Sequence, residues 1–380
     1  MIEVAKRLQN VEEYYFSKKL REVAFLKSQG KPIINLGIGS PDLAPPFKAS
    51  LALQDSLADD VAHKYQSYQG LPELREAISN FYKRQYNVHV SAQTEVLPLM
   101  GSKEGVMHIS MAFLNKGDKV LVPNPGYPTY AAVTKLLEAK PVYYKLTEAS
   151  NWQPDFAALE RLDLKRVKIM WINYPHMPTG SNADNKFYDK VIAFGKRHDI
   201  LIVNDNPYSF VLNEKPISIL RYNGAKDVCL ELNSLSKTFN MSGWRVGMLI
   251  GNYDFVSAVL RVKSNMDSGM FYGIQKGAIE ALQCSDMWFQ SLNSVYQTRR
   301  DLIWQLADHL NCIYDKDATG LFVWAKLPAH VKSEEFTDLV LKEHSIFITP
   351  GTVFGSQGEG YVRFSLCATA GIIKEAISRV

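Results

Sequence analysis

The sequence predicts an α/β protein in which a large domain, built on a mainly parallel sheet between helices, is joined to a smaller α+β domain. Three observations carry this. From about residue 91 to 251, short apolar runs alternate with stretches of helical length, as crossover connections between parallel strands require. The chain has 380 residues, more than one hydrophobic core usually organises, so a second unit is expected. After about residue 290 the alternation gives way to strand-like "LFVWAKL" and "YVRFSL" separated by a helix-like segment.

In chain order, residues 11–27 place Val11, Tyr14, Tyr15, Leu20, Val23 and Leu26 near helical spacing and form an arm. "KPIINLGIGSPD" then reads as a short strand entering a glycine-rich turn. In the alternating region "EVLPLM" precedes the helical "EGVMHISMAFLN", "KVLVP" precedes "TYAAVTKLLEA", and "KIMWIN" precedes "FYDKVIAFGKRH". "ILIVND", "VCLEL" and "VGMLIG" complete the strands, and residues 273–310 carry long helical patterns. In the tail, "SEEFTDLVLKEH" and "GIIKEAIS" read as helices. The expected division is 1–45, an arm with part of the small domain; 46–290, the large domain; and 291–380, the C-terminal small domain.

Hydrophobic residues make up 46% and charged residues 22%, the balance of an ordinary globular protein. A net charge of +4 without a Lys/Arg block argues against nucleic acid or a membrane surface as partner. Cys229, Cys284, Cys312 and Cys367 lie far apart without C-x-x-C spacing, which fits a reducing cytoplasm and no zinc site. The eight histidines show no paired spacing, so no metal is expected. The start resembles no signal sequence, and no apolar run approaches the roughly 18 residues of a membrane span.

In open α/β sheets, ligands bind at the carboxyl ends of the strands. Polar clusters fall at those ends: Gly101-Ser102-Lys103, Pro125-Gly126-Tyr127, "NYPHMPTG", Asp205 with Tyr208, and "NSLSKTFNMSGWRVG". A lysine flanked by hydroxyls and an arginine can hold an aldehyde cofactor bearing a phosphate, namely pyridoxal phosphate. Lys237 would form the Schiff base, since desolvation and nearby cations make a lysine nucleophilic. Arg245, Ser234, Ser236 and the amides of Ser102 and Lys103 at a helix start would bind the phosphate. The Lys103 side chain either joins them or is an ordinary solvated helix start. Asp205 would keep the pyridine nitrogen protonated, Tyr208 would donate to the ring phenolate, and Tyr127 would stack on the ring.

These motifs resemble the class I/II aminotransferase family of fold-type I pyridoxal-phosphate enzymes. "SLSKTFNMSGWRVG" is similar to the family's S-x-S-K…R-x-G signature, and "DNPY" to its D-x-x-Y. "YQSYQGLPELREAI" resembles Y-x-x-x-x-G-x-x-x-L-R, which implies that Tyr65 reaches the phosphate of a partner subunit and that the enzyme is a homodimer with shared active sites. "VRFSL" matches the arginine that grips the substrate α-carboxylate, implying that role for Arg363, with Gly39 contributing a backbone contact. One position departs: where the family reads N-P-T-G, "NYPHMPTG" puts Met177 at the asparagine. Either His176, Tyr208 or water supplies the missing contact, or the phenolate has one partner fewer. The implied activity is amino-group exchange between an amino acid and a 2-oxo acid by a ping-pong mechanism. A lyase or synthase on the same scaffold would share these residues, and a cofactor-binding sensor is a further alternative. The branch specific for acidic amino acids has an arginine in the segment reading "SNMDSGMFYGIQ" here; its absence, with Met270, Phe271, Tyr272 and Ile38, suits a neutral or aromatic side chain.

Overall fold

The computed structural model describes residues 2–380; Met1, the first residue of the 1–45 segment, lies outside them. Its centre is a seven-stranded sheet in the spatial order Val96–Leu99, Gly247–Gly251, Cys229–Ser234, Leu201–Asp205, Val167–Ile172, Lys119–Asn124, Lys140–Lys145. Only Gly247–Gly251 runs against its neighbours. The other neighbouring pairs are parallel.

Side chains alternate across a strand, so a sheet covered on both sides must be apolar at nearly every position. Val120, Val122, Ile169, Trp171, Val203 and Leu232 face one layer of helices, meeting Val106, Ile109, Tyr130, Val133 and Val259. Leu121, Met170, Ile172, Ile202 and Met248 face the other, where Ile78, Phe81, Phe187 and Val191 lie. The helix Asn185–His198 shows how such elements are delimited. Asp184 caps its start by accepting from the Phe187 amide, Lys196, Arg197 and His198 complement the carbonyl end, and Asp199 closes it in the left-handed region. Lys140–Lys145, directly after the helical stretch ending at Ala139, is a strand that the sequence reading left unassigned. It is an edge strand with lysines at both ends and a half-exposed face, so it carries little apolar signal.

The C-terminal part forms a four-stranded antiparallel sheet in the order Thr349–Pro350, Tyr361–Ser365, Phe322–Lys326, Ile313–Tyr314. The short strand Ile34–Asn35 pairs in parallel with Ile346–Phe347, which docks the N-terminal segment onto this part of the chain. The expected helical region 273–310 is two helices, Tyr272–Leu282 and Asp286–His309, and the second runs through position 290.

Arg299, on that second helix, clamps the glycine-rich turn. Its guanidinium donates to both carboxylate oxygens of Asp42, at 2.6 and 2.9 Å, and to the Leu366 carbonyl at 3.0 Å. Arg299→Leu would leave Asp42 without its cation. Breaking a buried pair costs about 3–5 kcal/mol, and the partial exposure of Asp42 places the expected loss near the lower end. The check is a lower denaturant midpoint at unchanged slope.

Candidate active site

Because the strands are parallel, their carboxyl ends share one edge, and the residues following them converge there. Gly101 and Ser102 follow Val96–Leu99, Tyr127 follows Lys119–Asn124, and Asn173 and Met177 follow Val167–Ile172. Asp205 ends its own strand with Tyr208 just beyond, and Ser234, Ser236 and Lys237 follow Leu232. The antiparallel strand Gly247–Gly251 begins at this edge, so Arg245, two residues before it, arrives too. The small sheet contributes Arg363 and Phe322, and the arm contributes Tyr14, Phe16 and Leu20. Together they line a cleft of about 290 Å³.

Lys237 donates to the Gly39 carbonyl at 2.5 Å. Desolvation lowers its pKa to about 8, with Arg363 and Arg245 adding to the effect and Cys367 opposing it. Asp205 is buried, and burial raises its carboxyl to about 6 against the lowering effect of one hydrogen bond. That bond comes from the Tyr130 hydroxyl to Oδ2 at 2.8 Å, whereas Oδ1 has no partner among the described residues. The Tyr130 ring lies flat on Trp171, centroids 4.8 Å apart and 4° from parallel, which fixes the hydroxyl. Asn173 donates to the Asp205 carbonyl and accepts from the Met177 amide at 2.8 Å, so it holds this part of the wall together.

Arg363 is 4% exposed and meets no carboxylate among the described residues. Nη2 donates to the Gly37 carbonyl at 2.8 Å and Nη1 to the Met177 sulfur at 3.4 Å, while Nε has no partner among the described residues. Phe322, Phe354 and Phe16 surround it at 3.9, 4.7 and 5.4 Å from Cζ. Burial brings its pKa down to about 10. Tyr208 packs its ring edgewise on Phe322, and burial pushes its hydroxyl pKa up.

Arg245 sits at a left-handed φ of 57° and donates to Ser236 Oγ at 3.5 Å and the Ser242 carbonyl at 2.9 Å. The Ser234 hydroxyl donates to Ser236 Oγ at 2.9 Å. Gly101 has φ 90°, and a Cβ there would fall 2.1 Å from the Arg245 guanidinium, so only glycine leaves this concavity open. The Lys103 ammonium lies 4.2 Å from the Tyr14 ring centroid, and its pKa is lowered by burial and by Arg245.

Every cofactor and carboxylate residue expected from the sequence lines this cleft except Gly101 and Tyr65, and of the residues expected to suit the substrate side chain Ile38 lines it while Met270, Phe271 and Tyr272 do not. Gly101 stands just behind, against Arg245, and Tyr65 is elsewhere, 90% exposed. Of the groups considered for the contact missing at Met177, His176 does not line the cleft. Its Nδ1 pairs with Thr179 at 2.8 Å, and burial lowers its pKa to about 3, so it is neutral. Sequence reasoning missed Tyr130, Asn173, Phe16, Phe322 and Phe354. Asn173 stood inside a motif already singled out and Tyr130 one helical turn after Tyr127, which is a usable signal; the phenylalanines offered none.

A family model described as "Aminotransferase class I and II" matches residues 31–380. The chain belongs to this family. It is 38% identical over 99% of its length, and 98% of the relative's, to the LL-diaminopimelate aminotransferase of Nitratidesulfovibrio vulgaris. Among solved structures, apo-BacF from Bacillus subtilis superposes with a TM-score of 0.96 at 36% identity, covering 100% of this chain and 98% of that one. An aminotransferase from Staphylococcus aureus gives 0.90 at 33% identity, covering 99% and 98%. As an aminotransferase of this family, the protein is a fold-type I enzyme that uses pyridoxal phosphate.

The site fits that cofactor. The unpartnered Oδ1 of Asp205 can accept from a protonated ring nitrogen, Lys237 has the depressed pKa that carbonyl chemistry needs, and the Gly101–Arg245 concavity is open and cationic. Without the cofactor, Asp205 is a liability. A carboxyl whose folded pKa is raised contributes stability that is present below its unfolded pKa and lost as pH rises through about 6. Asp205→Asn is therefore expected to stabilise the cofactor-free protein at pH 7–8 by about 1–3 kcal/mol, from a shift of about 2 units, and to change little at pH 4. Thermal unfolding at the two pH values checks this.

Proposed function

We propose that this aminotransferase works in two half-reactions on α-amino acids whose side chains are neutral and apolar or aromatic, and that Arg363 grips their α-carboxylate. The observation that carries this is the uncompensated Arg363 guanidinium in the same cleft as Lys237 and Asp205. A buried cation without a carboxylate is costly unless a ligand supplies one.

Bound pyridoxal phosphate supplies the electron sink for the breaking of the Cα–H bond. Asp205 holds a proton on the ring nitrogen and is itself oriented by Tyr130. Tyr208 donates to the ring hydroxyl, and Tyr127 covers the ring. Arg245, Ser234, Ser236 and the Gly101–Ser102–Lys103 amides bind the phosphate, with Tyr65 reaching it from the other subunit of a homodimer. Lys237 moves the proton between Cα and the cofactor: with a pKa near 8, a useful fraction of its amine is free at neutral pH. Gly39 gives the substrate α-carboxylate a backbone contact, and a side chain is excluded there because a Cβ would fall 2.3 Å from the Phe322 ring. In this reading the 46–290 unit holds the cofactor while the 1–45 arm and the 291–380 unit close on the substrate. The free cysteines fit a cytoplasmic enzyme. Exposed Phe47, Leu51, Leu57, Tyr65, Tyr68 and Met266 supply apolar surface for a subunit contact.

The substrate class rests on Tyr14, Phe16, Leu20, Ile38 and Phe354, aromatic and aliphatic side chains that line the cleft. A second reading takes the substrate named for the relatives, LL-diaminopimelate. It is favoured by Lys103, a lining cation with no ion pair among the described residues, which could meet a distal carboxylate. Adding amino acids singly to the cofactor-loaded enzyme and following its absorbance decides between them. Phenylalanine and leucine are expected to convert the cofactor at concentrations where LL-diaminopimelate does not. Arg363→Lys should lower kcat/KM about 10- to 100-fold for every amino acid that reacts, because an ammonium cannot form the forked pair; an unchanged kcat/KM removes Arg363 from the site.

Met177 bears on the cofactor directly. A thioether is a weak acceptor and no donor, so the ring hydroxyl lacks the amide that asparagine would offer. Met177→Asn is expected to lower the pH at which the lysine-bound cofactor changes colour by about one unit or less, since part of a hydrogen bond of about 1.5–3 kcal/mol is made in both protonation states. Spectrophotometric titration of both proteins reads the shift; an unchanged midpoint means that another donor fills the position.

A further inference from the structure

Lys263 is a deeply buried charge that the reaction does not use. It ends the helix Tyr253–Lys263 and is 1% exposed. Its ammonium donates to the Tyr68 carbonyl at 2.9 Å and lies 3.1 and 2.9 Å from the two carboxylate oxygens of Asp267. Asp267 also accepts from the Gly269 amide at 2.8 Å. The segments it joins touch directly: Gly269 has φ 86°, and a Cβ there would fall 2.4 Å from the Gln66 carbonyl oxygen. One buried cation therefore ties Gln66–Tyr68 to Asp267–Gly269.

Glu104 and His108 bring ligand atoms within 4.8 Å of those of Asp267. The Lys263 ammonium already supplies the positive charge at Asp267, so the group reads as a charge network and not as a metal site. The tied unit presents Tyr65, Tyr68, Met266 and Phe271 to the outside, 90%, 44%, 56% and 42% exposed, and none of them lines this chain's own cleft. A buried ion pair stabilises little relative to apolar residues but holds its partners in one register. Here it holds the unit that carries Tyr65.

Resting on the reading that Tyr65 serves the cofactor phosphate of the other subunit, we propose that Lys263 is a positioning residue acting across the dimer: it fixes the Tyr65 segment for the other subunit's site and is not needed for its own. Two hybrid dimers, isolated through different tags, separate the cases. In the first, a Lys237→Ala chain is paired with a Lys263→Met chain, so the live site lies in the Lys263 variant but is completed by an intact Tyr65 segment. In the second, a Lys237→Ala, Lys263→Met chain is paired with an unaltered chain, so the live site is completed by a loosened segment. Pyridoxal phosphate is titrated into each cofactor-free hybrid, following the absorbance of the Lys237-linked form.

The first hybrid is expected to bind like the unaltered protein and the second about tenfold more weakly, equivalent to about 1.4 kcal/mol. A defect that follows the live chain's own Lys263, or no defect in either hybrid, overturns the proposal. Lys263→Met strands the Asp267 charge and can prevent folding, so the same hybrids are made with Lys263→Met combined with Asp267→Asn, which leaves neither charge. Tyr65→Phe, placed in the same two positions, tests the shared site by itself. A defect from the opposite chain with Tyr65→Phe but not with Lys263→Met removes only the role of Lys263. No such defect with Tyr65→Phe removes the shared-site reading and the proposal with it.

Discussion

Asp205 and Arg363 are opposite charges, each less than a tenth exposed, that line one cleft without pairing with each other or with any other charged group among the described residues. Such charges are normally neutralised or paired, because desolvating them is costly. What keeps them charged and apart is the rest of the structure. Asp205 ends a central strand and keeps one hydrogen bond, from a tyrosine immobilised on Trp171. Arg363 belongs to the other sheet and is held by three phenyl rings, a carbonyl and a thioether. Aromatic faces attract a cation without cancelling its charge. The guanidinium therefore stays available to a carboxylate while being fixed in direction.

The central sheet makes this separation possible. Parallel strands bring their carboxyl ends to one edge, and the antiparallel strand Gly247–Gly251 begins where its neighbours end. Lys237, Asp205 and Arg245 thus arrive from three strands without any of them crossing the core. Opposite that edge lies the small sheet, docked by the Arg299–Asp42 fork and by the pairing of Ile34–Asn35 with Ile346–Phe347. The same fork fixes the turn whose Gly37 and Gly39 carbonyls accept from Arg363 and Lys237. Two cations of the cleft are thus aimed by one short glycine-rich segment.

Met177 meets Arg363 in the cleft, and in the proposed reading it alters one contact of the family scaffold. The methionine keeps the backbone bond to Asn173, so the wall retains its shape, while the side chain offers Arg363 a sulfur in place of an amide. A weak acceptor would compete little for the guanidinium with the substrate carboxylate proposed to bind there. In the proposed reading the corresponding loss is a donor to the cofactor ring hydroxyl, since a thioether offers none.

The order of elements, the strand ends that carry Lys237, Asp205, Tyr208 and Ser236, and membership of the family were legible in the sequence. Each depends on residues close together in the chain, whose spacing survives in any window that contains them. The edge strand Lys140–Lys145 was not, because half-exposed positions and lysines dilute its apolar pattern. Tyr130 as the partner of Asp205, the phenyl cage around Arg363 and the tie from Lys263 to Tyr68 were decided only by the tertiary structure. The last joins residues 195 positions apart. Such contacts have no period along the chain: they exist because burial forces a charged or polar group to find a partner, and which partner lies within reach is set by the packing of helices and sheets.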